Sequence, residues 1–279
     1  MPRKLSHQRF RRKRRYGMFH LVVALIVGML TGVLATYGFM KISLTPEEKE
    51  SSIKTNLTGW IENARAATIP IVAVGSTDQG EFGVVCTLAV KIEPGDGYVY
   101  VGIDPTLVGF DFQDADRTAI KVAAKLAGYQ LDADGVGLAG YDVKFIVVGP
   151  GERVRVEAID GPSAGAATTI ALLSVLENRK IKSGYAITGT IQEDGSIGPV
   201  GGVFHKAAAA AENGARVFLV PRGQSKVTVY ERVVEQIFPG FSWVSYRPKI
   251  IDLNEYFAGY GLSVVEVSTI EEAASLMLE

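Results

Sequence analysis

The chain is poor in the residues that build sulfur and imidazole chemistry: its 279 residues include one cysteine, Cys86, and three histidines, His7, His20 and His205. A single cysteine excludes an internal disulfide. A zinc site built from sulfur and imidazole needs three or four clustered ligands, so neither a metal nor another cofactor is expected. Cys86 lies in the apolar run Phe82 to Val90, where a buried, inert thiol is the economical reading. A G-x-x-x-x-G-K-[ST] phosphate loop is also missing, so no nucleotide-driven motor is expected in these residues. What is present is ample apolar material. With 47% hydrophobic and 21% charged residues, the composition excludes a disordered chain, a collagen-like repeat and a disulfide-stapled miniprotein.

Twenty-nine basic residues nearly balance thirty acidic ones, but the balance hides an asymmetry. Eight basic groups and no acidic one fall within residues 1–17, which leaves the rest of the chain acidic, at about −9. An acidic body argues against a nucleic-acid partner. Directly after the basic head, Met18 to Met40 form 23 residues without a formal charge when His20 is neutral. At ~1.5 Å per helical residue this run spans the ~30 Å of a bilayer's hydrocarbon. It is longer than the apolar core of a secretory signal, and Ala35-Thr36-Tyr37-Gly38 is a poor processing site, so an uncleaved transmembrane helix over 18–40 is expected. The positive-inside bias then keeps residues 1–17 in the cytoplasm, in contact with membrane lipid, and sends the C-terminal body across the cell membrane.

Residues 41–68 read as a stalk, with Leu57, Trp60, Ile61 and Ala64 at amphipathic helical spacing. Asn56-Leu57-Thr58 matches the N-glycosylation triplet, which is usable only outside the cell. Residues 69–279 then form one domain. Strands are expected at Ile69 to Gly75, Phe82 to Ile92 and Tyr98 to Ile103, as an antiparallel meander punctuated by Asp78-Gln79-Gly80 and Pro94-Gly95-Asp96-Gly97. A helix over Ala115 to Ala127 follows, stopped at Gly128, then strands at Tyr141 to Val148 and Val154 to Ile159. After that the pattern alternates: helix Ala164 to Glu177, strand Tyr185 to Thr188, helix Val203 to Asn213, strand Arg216 to Val220 and a closing helix Ile270 to Leu278. No repeat is visible, no role is assigned to 222–262, and the mixed order predicts an α+β (mixed α/β) fold.

The most informative stretch is Asp160-Gly161-Pro162-Ser163-Ala164-Gly165. Gly161 and Pro162 force a turn, and Ser163 and Ala164 open a helix whose free N–H groups and partial positive charge suit a developing oxyanion. Ser163 taken alone is equally well read as an N-cap. A nucleophilic serine needs a base, and two candidates adjoin each other, His205 and Lys206. A lysine acts as a base only when a dry setting strips its proton, and the five alanines after Lys206 (Ala207 to Ala211) offer one.

The ordered motifs Asp160 to Gly165, Ala186-Ile187-Thr188-Gly189, Gly198-Pro199-Val200-Gly201-Gly202-Val203-Phe204-His205-Lys206 and Val217 to Pro221 resemble the proteolytic domain of the Lon proteases, peptidase family S16. The resemblance covers about residues 69–279 and is strongest over 142–221. It implies a ribosomal-protein-S5-like fold, a Ser-Lys dyad of Ser163 as nucleophile and Lys206 as base, and Thr188 as the hydroxyl that orients the amine. Asp160 falls at the motif's acidic position, shaping the loop or gating the oxyanion site. Polypeptide substrates and a homo-oligomer, six-membered by analogy, are implied as well. The sequence departs from the family at Gly189-Thr190, where Gly-Glu is common, and at His205.

Lon proteins usually carry an ATPase module before the protease, so a chain without one is expected to act on unfolded polypeptides that enter its site as extended strands. Two other readings stand beside this one. An α/β-hydrolase elbow would use Ser163 with His205 and an aspartate such as Asp194. A Lon-like domain without catalysis would serve as a tethered assembly or binding module.

Overall fold

The computed structural model describes residues 65–77, 80–102, 107–150 and 158–279. The expected spanning segment 18–40, the basic head and most of the stalk lie outside the described residues. Among the described residues no helix is long and apolar enough to cross a membrane.

Two long strands organise the domain. β1 (Arg65–Thr77) and β2 (Gly80–Pro94) pair antiparallel from Arg65↔Ile92 to Thr77↔Gly80. β1 thus starts at Arg65, inside the stretch expected to be stalk. β-branched residues alternate along both strands, and each strand has two covered faces. Ile69, Ile71, Val84, Cys86 and Leu88 point into one core, whereas Val72 points into a second.

β5 (Tyr141–Val148) pairs antiparallel with β2, and β3 (Val99–Gly102) pairs parallel with β5, giving the order β1-β2-β5-β3. This corrects the expected meander, in which the third strand would lie beside the second. The turn between them does not close as a hairpin, because the Asp142 carboxylate accepts hydrogen bonds from the N–H groups of Asp96 and Tyr98, both at 3.0 Å. Asp142 therefore carries the chain over the end of β5 to its far side.

Short strands β4 (Leu107–Val108) and β6 (Ala158–Ile159) pair parallel and flank α1 (Phe110–Ala127). Helix α1 begins five residues before the expected Ala115, and its left-handed C-cap is Gly128, φ 75°, as expected. A 3₁₀ turn (Pro162–Ala164) leads into α2 (Gly165–Glu177). Every α2 residue from Gly165 to Leu176 is buried, so this apolar helix runs through the middle of the domain against α1 and the β1-β2 ribbon.

β7 (Tyr185–Ile187), β10 (Val217–Pro221) and β13 (Ser263–Val267) form a second, parallel sheet in the order β13-β10-β7, with the small antiparallel pair β8 (Thr190–Ile191) and β9 (Ile197–Gly198) beside it. Helix α3 (Val203–Glu212) joins Val72, Ala186, Phe218, Leu253 and Phe257 in the second core. β11 (Lys226–Phe238) and β12 (Phe241–Asp252) form a separate antiparallel ribbon, followed by α4 (Leu253–Ala258) and, at the end, α5 (Ile270–Met277). The fold is mixed α+β, with a mixed sheet and a parallel sheet in place of one continuous parallel sheet.

Candidate active site

The turn before Ser163 is fixed by a carboxylate. Asp160 Oδ1 accepts from its neighbour Gly161 N at 2.8 Å and reaches across to α1, accepting from Asp111 N at 3.0 Å and Phe112 N at 3.3 Å. Helix α1 has no side-chain cap of its own at Gly109, so Asp160 supplies the acceptor that its free N–H groups lack. This explains why α1 starts at Phe110: the cap comes from far downstream in the chain, where periodicity cannot reveal it. A Cβ at Gly109 would collide with that carboxylate. Gly161 has φ 98°, a conformation that glycine alone adopts without strain. In this structure Asp160 shapes the loop.

Ser163 occupies the 3₁₀ turn ahead of α2 and is half-buried; Pro162 is exposed and Ala164 half-buried. Its backbone is clipped to the segment after β7. Ser163 O accepts from Gly189 N at 3.0 Å and from Thr188 Oγ1 at 3.2 Å, and Ala166 N donates to Gly189 O at 3.0 Å. Thr188 is itself held by its N–H donating to Leu219 O of β10 at 3.0 Å.

Lys206 enters from α3 and is 3% exposed. Its Nζ donates to Thr188 Oγ1 at 3.3 Å. The threonine hydroxyl therefore accepts from the lysine and donates to the serine's carbonyl. Among the described residues Lys206 has no ion-pair partner, and burial pushes its ammonium down to about pKa 8 from 10.5. Sequence reasoning located Ser163, Thr188 and Lys206, and the fold brings their chain segments together.

Close packing sets the position of α3. Gly202 begins the helix at φ 64°, with Val74 Cγ2 of β1 only 2.5 Å from where a Cβ would stand. Gly83 on β2 faces His205 O, where any Cβ would clash, and Ala209 Cβ at 2.7 Å. Gln224, which sequence reasoning missed, secures the loop before α3: its Oε1 accepts from Val200 N at 3.0 Å and its Nε2 donates to Val200 O at 2.8 Å. No sequence signal marks a glutamine for this use.

The hydrolase-elbow arrangement is not assembled. His205 Nε2 lies 3.7 Å from Glu81 Oε2, and Asp194 Oδ1 accepts from Ser196 N and Oγ at 2.9 and 2.6 Å. No hydrogen bond joins His205 to Asp194 among the described residues. Cys86 is buried in the first core, where desolvation pushes its thiol up to about pKa 12, an inert state. Among the described residues no three His, Cys, Asp or Glu side chains gather as a metal site.

Comparison with known proteins finds sequence relatives for part of the chain. Residues 154–237 match the family model of the Lon protease (S16) C-terminal proteolytic domain. This part of the chain is similar to the proteolytic domain of Lon proteases. The chain is 33% identical over 162 residues to a Lon protease of Phenylobacterium zucineum, covering 57% of this chain and 19% of that protein. It is 29% identical over 199 residues to a Lon protease of Paraburkholderia phytofirmans, covering 68% of this chain and 23% of that protein. A peroxisomal Lon protease homolog 2 of Eremothecium gossypii is 50% identical over 64 residues, covering 23% of this chain and 6% of that protein. The matched stretch thus spans under a quarter of each of these relatives. The mixed α+β fold is consistent with a Lon proteolytic domain.

Proposed function

We propose that this chain is a membrane-anchored serine endopeptidase in which Ser163 is the nucleophile and Lys206 the general base. The observation that carries the reading is the Thr188 hydroxyl, hydrogen-bonded to both the buried Lys206 amine and the Ser163 carbonyl. Neutral Lys206 takes the Ser163 proton as Oγ attacks the peptide carbonyl. Backbone N–H groups at the head of the 3₁₀ turn hold the tetrahedral oxyanion. Lys206 then gives its proton to the leaving amine, and the acyl-enzyme remains. Water, losing a proton to Lys206, attacks the ester, and Lys206 returns that proton to the departing Ser163 Oγ as the acid is released.

The substrates are unfolded polypeptides, cleaved without nucleotide. Residues 18–40 hold the chain in the membrane with residues 1–17 on the cytoplasmic side and the proteolytic domain outside, and copies assemble into a ring, hexameric by analogy with Lon proteins. Resemblance to Lon proteases supports the polypeptide substrate and the oligomer.

The test is hydrolysis of an unfolded protein without nucleotide, together with labelling by a fluorophosphonate. Ser163→Ala should abolish both, and Lys206→Met should abolish hydrolysis. Unlabelled, inactive wild-type protein that is fully folded would favour the tethered binding module instead.

A further inference from the structure

The ribbon formed by β11 and β12 has no place in the proteolytic reading. Its strands are 13 and 12 residues long, about 40 Å at the usual rise, and among the described residues they pair only with each other. No residue from Lys226 to Asp252 is fully buried. Two-stranded ribbons without a packed face are marginal in water, so this one needs a surface to rest on.

Its charges lie away from the turn. Residues directly opposite one another share a face; one face carries the ion pairs Glu231–Lys249 and Glu235–Arg247, and the other carries Arg232 and the pair Lys226–Asp252. Beyond Glu235 and Trp243, which lie opposite one another, the ribbon is uncharged, from Gln236 through Ser242. This end exposes Ile237, Phe238 and Phe241, with Trp243 at its border, each 47–59% accessible, and the Phe238 and Phe241 rings stack at 5.0 Å across the Pro239-Gly240 turn.

We infer that the tip of this ribbon inserts into the interfacial layer of a phospholipid bilayer. A folded partner would be recognised by fixed polar groups around an apolar centre, and the uncharged end offers few. Lipid requires none, and tryptophan beside phenylalanine suits the boundary between headgroup and acyl chain. The outer backbone edges of both strands, unpaired among the described residues, limit the depth: they must stay wet, so the tip enters by ~5–10 Å and does not span. Glu235, opposite Trp243, marks the waterline. The chain supplies the bilayer itself, since the inference rests on the reading of 18–40 as an anchor. The 24 residues from Lys41 to Ala64 can extend up to ~80 Å, more than the length of the ribbon.

The experiment uses the full chain reconstituted in phosphatidylcholine vesicles, with Trp60→Phe making Trp243 the sole tryptophan. Flotation reports the anchor; quenching of Trp243 by lipids brominated near the headgroup end of the acyl chain reports the tip. The expected result is flotation with a roughly twofold loss of Trp243 emission and protection from aqueous iodide, as an interfacial depth requires. Phe238→Glu with Phe241→Glu should restore emission and iodide access while flotation persists. A chain that floats with Trp243 open to iodide and blind to bromine overturns the tip contact alone. Shielding from both quenchers that disappears on dilution overturns it in favour of a second copy. A chain that does not float overturns the anchor and the tip contact together.

Discussion

Thr188 Oγ1 lies 3.3 Å from Lys206 Nζ and 3.2 Å from the carbonyl oxygen of Ser163, so one hydroxyl joins the buried amine to the backbone of the serine turn. Because its single proton goes to the carbonyl, the oxygen presents a lone pair to the lysine. The contact orients Lys206 without neutralising it, which distinguishes it from a carboxylate that would hold the ammonium charged.

Thr188→Val keeps the volume and removes that lone pair. Ser163 O retains its bond from Gly189 N, so the turn should survive with little change in melting temperature. The amine loses its orientation, and kcat should fall on the order of tenfold to a hundredfold with KM nearly unchanged, a fraction of what a positioned base contributes. Thr188→Ser should recover most of the rate. Equal losses in the valine and serine variants would show that packing, not the hydroxyl, matters at this position.

Lys206 makes opposite contributions to activity and stability. Its amine is the base only when neutral, so kcat should rise with pH and reach half its maximum near the folded-state value of about 8. In the unfolded chain the same amine holds its proton up to about 10.5. Between those values the unfolded state binds more protons, so the stability contribution improves as pH rises from 8 to 10.5, and below pH 8 the full cost of burying the ammonium remains. Lys206→Met should therefore be inactive yet more stable by about 3 kcal/mol at pH 7, with the gain vanishing above about pH 10.5. Chemical denaturation at neutral pH and near the unfolded-state value measures both; a less stable variant at neutral pH would contradict a buried, unpaired amine.

Much of this site was legible because its residues lie in local patterns. Gly161-Pro162-Ser163 reads as a turn into a helix, and Lys206 stands at the head of an alanine run, which is where the structure has them. The strand at Tyr141–Val148 and the helix ending at Glu177 fell where alternation and apolar periodicity put them. Long-range polar contacts were not legible: Asp142 reroutes β3, Asp160 starts α1 early, and Gln224 pins the loop at Val200, each across 24 residues or more. The β11-β12 ribbon was missed for another reason. Neither of its faces is buried and both carry charges, so the alternation that marks a half-buried strand is weak, although Pro239-Gly240 stands at its turn.

Gly83 tests how tightly the helix carrying Lys206 is seated. A methyl group there meets His205 O and lies 2.7 Å from Ala209 Cβ, both on α3, and backbone cannot swing aside as a flexible side chain can. Gly83→Ala should cost about 1–3 kcal/mol by overpacking and, by shifting α3, lower kcat as well. Gly201→Ala, where a Cβ meets nothing within 4 Å, is the control expected to leave stability nearly unchanged. Thermal melts and turnover of the two variants should separate; equal behaviour would mean that α3 has room to move.

Asp116 is a buried acid that the catalytic reading does not use. It lies on the inner face of α1, 1% exposed, with Oδ1 accepting from Thr168 Oγ1 of α2 at 3.1 Å and, among the described residues, no hydrogen-bond partner for Oδ2. Desolvation pushes its carboxyl up to about pKa 8 from 3.8, against the smaller effect of the Thr168 hydrogen bond. The folded protein therefore keeps a proton that the unfolded chain releases, and stability falls as pH rises from about 4 to 8. An asparagine in its place would accept from Thr168 in the same way and never ionise. Asp116→Asn should thus be close to neutral at about pH 4 and progressively stabilising towards pH 8, by up to about 1.4 kcal/mol per pH unit. Denaturant midpoints at three pH values across that interval measure the trend, and a stability difference that stays constant across them would mean that Asp116 is ionised in the fold.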